Sequence, residues 1–563
     1  MTTNNSDFFV EKKVLSGLIL VLLLLIGLII LLSFVPPTSK DALVHHLAVP
    51  KLYLKHGGIY EIPYMDFSYY PMNLDLLYII PLYFGNDIAP KFIHFAFGLL
   101  TAWLIFHYIK SRANSGYGLL GVIFFLSIPI IVKLSITVYV DLGEIFFSFA
   151  AFLLMLEWIK SKFKLRFLVC SGIMCGLALG TKYNGLVTLL ILTLFIPFLY
   201  SRYTQQKGIG FIRSPVYGII FICISLLVFS PWMIRNYYWK GNPIYPLYKQ
   251  IFNPPDITTR IKTDTHPENN EIKQDLDILT YRSLIYHESG WEIALLPLRI
   301  FFQGKDGDPQ FFDGTLNPFL FIMPFFAFYR LRNDPEDLRR EKNIMLAFSV
   351  LFFFIALFTA VLRIRYVSPI IPPLVLLSVF GVRNLFNAVN GISHRINRQL
   401  GRVFVLGGLV FALVLNGHYI IGQLQTVAPL SFIAGKISHD AYISEYIPEY
   451  PALKYINSNL DSDAKILFIF LGRRGYYCDR EYLFDMGMLK NIIVKSDEPK
   501  DILKGLKEKY ITHLLVNYSL FGRWMKDNFS EKEILLTQQF FREYVVPIFY
   551  EKGFGVSALS DFQ

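Results

Sequence analysis

Long apolar runs separated by short polar segments dominate the pattern of this chain. Each run approaches the ~20 consecutive apolar residues that an α-helix needs to cross a bilayer. The pattern predicts about eleven membrane-spanning helices. The predicted spans are 14–35, 89–109, 117–132, 140–159, 165–181, 185–200, 215–233, 314–330, 343–361, 366–386 and 403–421. The apolar part of the first run exceeds the ~7–15 residues of a secretory signal core, so we expect it to be retained as an anchor.

Basic residues in the loops predict the orientation of these spans. With the N-terminus in the cytoplasm, alternate loops carry about twenty Lys and Arg on the cytoplasmic side, as the positive-inside rule requires. The short loops on the opposite side hold far fewer. The stretch 73–84 is too short to span comfortably and is better interpreted as a helix at the membrane interface. Counting it as a span would invert every later loop and remove the asymmetry.

Three larger segments fall on the extracytoplasmic side in this topology. They are a first loop, 36–88, a large loop, 234–313, and the C-terminal tail, 422–563. The tail alternates strand-like runs with a helical pattern, which predicts a small α/β domain. Its strand-like runs are 465–471 and 511–516, and its helical pattern covers 501–510. We therefore expect a membrane domain over 1–421 and an extracytoplasmic domain over 422–563.

Composition supports the membrane class and excludes others. The chain of 563 residues is 54% hydrophobic, with a mean hydropathy of +0.43, which is too apolar for a soluble protein of this size. The net charge of +11 follows from the basic cytoplasmic loops, and no basic patch with interleaved aromatics indicates nucleic-acid binding. The four cysteines show neither zinc spacing nor a disulfide framework.

The predicted topology gathers unusual polar residues at one face of the membrane. Charged groups at membrane depth are costly and usually functional. The acidic candidates are Asp41 after the first span, Asp141 at the start of the fourth, and Glu144 one turn deeper. The other candidates lie in turns between spans: Lys182, Tyr183, Arg235, Asn236, Arg365 and Tyr366. Each also has a purely structural interpretation, such as helix capping by Asp141 or a helix-end lysine reaching to the interface.

These residue types fit the transfer of a sugar from a lipid phosphate. A carboxylate takes the proton of the acceptor hydroxyl, and cations hold the lipid phosphate as it gains charge. A single displacement needs one base and inverts the sugar. Two neighbouring carboxylates can instead serve as base and orienting group, or hold a divalent cation. Sequence spacing does not separate these cases, and it indicates no other cofactor.

The order of these residues resembles the bacterial GT-C membrane glycosyltransferases. The chain looks similar to the aminoarabinose transferases of lipid A, the protein O-mannosyltransferases and the Rgt-type lipopolysaccharide-core transferases. The matching positions are Asp41 with His46, Leu47 and Pro50; Gly57-Gly58-Ile59; Tyr70-Pro71; Lys91; Tyr139-Val140-Asp141-Leu142; Lys182-Tyr183-Asn184-Gly185; Arg235-Asn236 with Gly241-Asn242-Pro243; and Arg365-Tyr366 with Pro369. The resemblance covers residues 1–421 and, more loosely, the tail.

The resemblance implies a GT-C fold in a bacterial inner membrane and an undecaprenyl- or other polyprenyl-phosphate sugar as donor. It implies a cell-envelope acceptor, either a lipid-linked glycan, a lipopolysaccharide or a protein. Asp41 would be the catalytic carboxylate and Asp141 the second acidic residue. Residues expected to bind substrate are His46, Tyr70, Lys91, Lys182, Tyr183, Arg235, Asn236, Arg365 and Tyr366.

One departure from the family pattern concerns the lipid phosphate. Aminoarabinose transferases carry a lysine just before the proline that opens the interfacial helix, whereas this chain has Tyr70. The phosphate contact must then come from elsewhere, with Lys182, Arg235 and Arg365 as candidates.

Two other classes of function stay open at this stage. One is a transporter or flippase of a lipid or glycan, and the other is a non-catalytic envelope scaffold whose tail binds a partner. Against a transporter, the chain shows no internal repeat of halves and no matching pair of broken helices. Its polar residues also gather at one membrane face and not at the midplane.

Overall fold

The computed structural model describes residues 9, 11–204, 207–253, 278–329, 331, 334–357 and 362–560. The acidic part of the predicted loop 234–313 and the C-terminal ends of the predicted spans 314–330 and 343–361 lie outside these residues. The chain divides into two compact units. Unit 1 consists of Met1–Phe34, Tyr69–Leu77 and Pro90–Pro429, and unit 2 consists of Val35–Ser68, Tyr78–Ala89 and Leu430–Gln563.

Unit 1 is helical, because a helix satisfies the backbone hydrogen bonds of an apolar run within that run. Its helices are Lys12–Ser33, Ala89–Arg112, Ser115–Ser127, Pro129–Ser135, Asp141–Lys160, Leu165–Thr181, Gly185–Tyr203, Lys207–Lys240, Lys249–Phe252, Ile278–Tyr286, Gly290–Ala294, Leu296–Phe302, Phe319–Ala327, Glu336–Leu357, Ile371–Asn390 and Arg395–Val427. The prediction of a polytopic helical membrane protein is confirmed.

A helix overlaps each of the eleven predicted spans, but not every one is a long straight span. Within the described residues, seven helices are long and apolar enough to cross a membrane. The predicted span 117–132 is two helices bent by 69°, because Pro129 begins the second helix and leaves Ile128 in an extended conformation. The helix Leu165–Thr181 has 17 residues, and Phe319–Ala327 has only 9.

A short helix forms where the sequence predicts an interfacial one, and its place at the membrane interface stays a prediction. It runs over Asn73–Tyr83 and has 11 residues, so at 1.5 Å per residue it is much shorter than a bilayer core. Within unit 1, Asn73 at its start accepts a hydrogen bond from Trp232 Nε1 at 2.8 Å. This contact ties the beginning of the short helix to the long helix Lys207–Lys240.

Unit 2 contains a five-stranded mixed sheet with helices, so the predicted small α/β domain is confirmed. Its strands are β1 (Lys465–Ile469), β2 (Glu481–Leu483), β3 (His513–Asn517), β4 (Val545–Glu551) and β5 (Phe554–Leu559). The strand order is β2-β1-β3-β5-β4. β1 pairs in parallel with β2 and β3, whereas β5 pairs antiparallel with β3 and β4. The helices of unit 2 are Ala48–His56, Pro429–Ile433 at its boundary, His439–Tyr446, Tyr450–Asn459, Met486–Lys495, Pro499–Lys507, Tyr518–Asn528 and Glu531–Tyr544.

The two strand-like runs of the sequence correspond to β1 and β3, and the helical pattern corresponds to Pro499–Lys507. The sequence interpretation missed the hairpin of β4 and β5. Its two-residue connection, Lys552 and Gly553, has positive φ at both positions, which is the turn geometry that suits a tight hairpin. Glycine after a β-rich run was the available signal.

Candidate active site

A buried ion pair joins Asp141 and Lys182 in unit 1. Asp141 is the first residue of the helix Asp141–Lys160, and Lys182 follows the end of Leu165–Thr181 in an extended conformation. The Lys182 Nζ donates a hydrogen bond of 2.5 Å to Asp141 Oδ1. The Asp141 side chain is 1% exposed, so the lysine compensates a carboxylate that water hardly reaches. The structure thus brings together two residues that the sequence placed on one membrane face.

His94, which the sequence interpretation did not select, holds the start of the same helix. Its Nε2 accepts a hydrogen bond from the Leu142 backbone N–H at 2.9 Å, and its Nδ1 lies 3.0 Å from the Thr137 carbonyl oxygen. Because one nitrogen accepts and the other must donate, the geometry fits the neutral ring. His94 is fully buried and positions the residue next to Asp141.

Tyr366 and Arg365 extend the cluster beyond the ion pair. The Lys182 Nζ lies 5.1 Å from the centre of the Tyr366 ring, and Asn184 Nδ2 donates to the Tyr366 carbonyl oxygen at 3.1 Å. The Arg365 guanidinium lies 5.3 Å from the Tyr139 ring and 5.4 Å from the Tyr366 ring. Both distances suit cation–π contacts. Tyr366 thus links the Lys182 ammonium, which pairs with Asp141, to the Arg365 guanidinium.

A second group of predicted residues assembles around Asn236. Asn236 is buried, and its Nδ2 donates to the Tyr69 carbonyl oxygen at 2.8 Å and to the Tyr183 hydroxyl at 3.1 Å. The Tyr183 ring lies 5.3 Å from the Tyr70 ring. Tyr183 follows Lys182 in sequence, so this group is continuous with the ion pair.

Arg235 joins this second group through the backbone of Tyr70. Its Nη2 donates to the Tyr70 carbonyl oxygen at 3.1 Å and to Asn236 Oδ1 at 2.9 Å. The guanidinium also lies 4.5 Å from the Trp232 ring and 5.0 Å from the Trp239 ring. Its Nε donates to Asn236 Oδ1 as well, at 3.1 Å. Two indole rings and three hydrogen bonds thus fix the orientation of this cation.

Glu144 lies one helical turn inside Asp141 and is fully buried. Among the residues that the structure describes, neither of its carboxyl oxygens has a hydrogen-bond partner. Residues three apart on a helix share a face, and the Lys182 charge acts on both carboxyls. A buried polar group without a partner is unusual in a folded protein and calls for an explanation.

Lys91 is buried on the helix Ala89–Arg112, one turn before His94. The spacing puts both side chains on one face of that helix. A role for Lys91 in binding substrate stays a prediction.

Asp41 and His46 belong to unit 2. Asp41 is partly buried and directly precedes a short π-helical turn, Ala42–His46. His46 is buried at the end of this turn, and its ring lies 3.9 Å from the His45 ring. The roles of Asp41 as base and of His46 in binding substrate stay predictions.

The sequence left open a divalent cation held by neighbouring carboxylates. Within the described part of the chain, no group of three or more His, Cys, Asp or Glu side chains is arranged to hold a metal ion. Asp141, the predicted second acidic residue, is already engaged by Lys182.

Comparisons with known proteins agree with this architecture. The family described as dolichyl-phosphate-mannose-protein mannosyltransferase matches residues 79–234, which include Lys91, Asp141 and Lys182. Among solved structures, ArnT from Cupriavidus metallidurans bound to undecaprenyl phosphate is 11% identical, with a TM-score of 0.53 over 97% of this chain and 98% of that chain. The same protein in the apo state gives a TM-score of 0.55 at 11% identity, over 96% of this chain and 98% of that chain.

The apo oligosaccharyltransferase from Archaeoglobus fulgidus is 12% identical, with a TM-score of 0.53 over 99% of this chain and 75% of that chain. No curated protein matches the chain. At identities this low, structural similarity shows the fold and not the activity. The fold is the GT-C fold expected from the sequence.

Proposed function

We propose that this chain of GT-C fold is a membrane glycosyltransferase, which transfers a sugar from a polyprenyl-phosphate carrier to a cell-envelope acceptor. The sugar is a hexose or pentose, and the acceptor is a lipid-linked glycan, a lipopolysaccharide or a protein. Transfer takes place on the extracytoplasmic face of a bacterial inner membrane, with the N-terminus of the chain in the cytoplasm.

The position of Arg235 is the observation that supports a lipid-phosphate donor most directly. The resembled aminoarabinose transferases have a lysine where this chain has Tyr70. Here the Arg235 guanidinium lies 3.1 Å from the carbonyl oxygen of that residue. A cation from a distant part of the chain therefore occupies the neighbourhood that lacks the lysine. A guanidinium fixed against two indole rings suits a phosphate, because hydrogen bonds between charged partners are strong.

Lys182 and Arg365 supply further positive charge near Asp141. Phosphoryl oxygens gain negative charge as the sugar leaves, and fixed cations stabilise that charge more in the transition state than in the ground state. The tyrosine rings of this cluster offer flat apolar faces to a sugar. We assign to Asp141 the task of holding Lys182 in place, as the second acidic residue of the site.

The proposed reaction is a single displacement. The Asp41 carboxylate takes the proton of the acceptor hydroxyl, and the hydroxyl oxygen forms a bond to the anomeric carbon of the sugar. The bond from that carbon to the phosphate oxygen breaks, and the lipid phosphate leaves with the electron pair. The configuration at the anomeric carbon inverts.

Transfer assays in proteoliposomes test this proposal. Purified protein is supplied with radiolabelled polyprenyl-phosphate sugars and an envelope extract, and Asp41→Asn runs beside the wild type. Asp463→Asn, an exposed aspartate of the tail, is the matched control. We expect label to move to a new product with the wild type and the control but not with Asp41→Asn. Transfer by Asp41→Asn would overturn the assignment of the base. If the wild type consumes none of the polyprenyl-phosphate sugars supplied, a transporter or a scaffold would be favoured.

A further inference from the structure

A segment of the C-terminal tail contacts the backbone on both sides of Asp41. This segment covers residues 473–480 and is called the clamp below. The Tyr476 backbone N–H donates to the Leu43 carbonyl oxygen at 3.2 Å. The Tyr477 hydroxyl donates to the Pro37 carbonyl oxygen at 2.8 Å. Asp41 lies between these two attachment points, two residues from Leu43 and four from Pro37.

Lys51 makes a third attachment on the helix that follows. Its Nζ donates to the Tyr476 carbonyl oxygen at 2.7 Å, to the Cys478 carbonyl oxygen at 3.2 Å and to Asp479 Oδ1 at 2.7 Å. One ammonium thus uses its three donors on three acceptors of the clamp. Lys55, one turn later, donates to the Asp479 carbonyl oxygen at 3.1 Å.

The clamp is itself fixed to the tail. Arg474 forms a two-pronged ion pair with the buried Glu449, at 2.6 Å and 2.9 Å. The Arg480 guanidinium donates to the Asn457 and Leu460 carbonyl oxygens, each at 2.7 Å. These contacts attach both ends of the clamp to the region of the helix Tyr450–Asn459.

A glycine in the middle of the clamp permits its close packing. A Cβ at Gly475 would lie 2.2 Å from the Tyr482 ring, and Tyr482 is a buried residue of β2. Only glycine fits this approach without displacing the ring. Because the clamp is packed against the sheet and tied to the helix, it is a rigid support and not a loose loop contact.

We propose that the tail is part of the catalytic apparatus, because the clamp fixes the position of the first loop that carries Asp41. Tyr477 and Lys51 are then positioning residues that act through Asp41. The inference rests on the proposed role of Asp41 as base. A proton acceptor works only within hydrogen-bond reach of its substrate, and a displacement of about 1 Å can lower a rate by as much as 100-fold.

The test uses full-length Lys51→Met and Tyr477→Phe in the proteoliposome assay. Lys51→Met removes three hydrogen bonds to the clamp, and Tyr477→Phe removes the bond to Pro37. The Tyr477 hydroxyl also interacts with Asp87, so Tyr477→Phe changes more than the bond to Pro37. Lys51→Met therefore tests the clamp independently of Asp87. Lys509→Met and Tyr510→Phe, both at exposed positions of the tail, are the matched controls.

We expect kcat to fall about tenfold or more in both clamp variants, with KM for the donor changed by less than about threefold. Lys51→Arg should recover much of the loss, since a guanidinium can reach the same acceptors. Backbone amide exchange of residues 37–47 should be faster in Lys51→Met than in the wild type. A defect in folding alone would lower the amount of active protein without this local change.

Three outcomes separate the inference from the proposed function. Wild-type kcat and wild-type amide exchange in both clamp variants, together with an inactive Asp41→Asn, would overturn the clamp and leave the proposed function intact. Transfer by Asp41→Asn would overturn the proposed base and the inference with it. A raised KM with unchanged kcat would contradict positioning of the base and would make the clamp part of substrate binding.

Discussion

Replacing Lys182 by methionine tests the buried ion pair of the candidate site. Methionine keeps the length and apolar stem of lysine, so the change removes chiefly the ammonium. The Asp141 side chain is 1% exposed and the Lys182 side chain 17%, which means that the remaining carboxylate has little access to water. Removing one partner of a buried pair costs about 3–5 kcal/mol. We expect about 3 kcal/mol, because part of Lys182 is solvated, and this is roughly a 100-fold change in the unfolding equilibrium.

The double variant Asp141→Asn with Lys182→Met supplies the internal check. It removes both charges, so no buried carboxylate is left without its partner, and most of the lost free energy of unfolding should return. Unfolding in mixed micelles, followed by intrinsic fluorescence, measures the single variants Lys182→Met and Asp141→Asn and the double variant. Lys160→Met is the control, since its ion pair with Glu157 is exposed and long, at 4.0 Å. We expect a change below about 0.5 kcal/mol for this control. Wild-type stability of Lys182→Met, or simple addition of the two single effects in the double variant, would refute the reasoning.

Three further predictions concern other buried or paired groups. Glu144→Leu should raise the free energy of unfolding by about 1–3 kcal/mol in the same assay, because it removes a buried carboxyl that has no hydrogen-bond partner among the described residues. An equal or lower free energy of unfolding would show that Glu144 has such a partner. The hydrogen bond that the protonated His439 ring donates to the Asp87 carboxylate raises the pKa of His439 above its usual 6.5, so this stabilisation is present below that value and is lost as the pH rises through the raised pKa. His439→Gln should therefore lower the melting temperature at about pH 5 but not at about pH 9, and equal shifts at both would contradict the pair. Burial raises the pKa of the Cys478 thiol to about 11, so a maleimide at about pH 8 should modify it only after unfolding, and rapid labelling of the native protein would contradict this.

The membrane fold could be predicted from the sequence because few backbone structures can cross a bilayer. A run of about twenty apolar residues must satisfy its backbone within a helix, and every predicted span overlaps a helix. The predicted span 117–132 differs in being bent between Ser127 and Pro129, and the proline in the sequence indicates such a bend. The hairpin of β4 and β5 was missed, although Gly553 marked its turn.

The candidate site was only partly accessible from the sequence. Topology put Asp141 and Lys182 on the same face, but it did not show that they pair. His94 was missed because a histidine within an apolar run usually packs without function. Its place one turn after Lys91 on the same helix face was the available hint.

The clamp had no sequence signal at all. Lys51 and Asp479 are 428 positions apart, and the three hydrogen bonds of Lys51 go partly to backbone carbonyls, which every residue carries. Local patterns report local structure, so contacts between such distant segments require the folded chain.

The most direct test of the account follows the donor and the product together in a single turnover. Purified protein in proteoliposomes receives a polyprenyl-phosphate sugar labelled in both the sugar and the lipid, and the anomeric configuration of the product is determined. The account predicts one lipid phosphate released for each sugar transferred, inversion at the anomeric carbon, and neither event with Asp41→Asn. Retention of configuration, or equal turnover by Asp41→Asn, would contradict it.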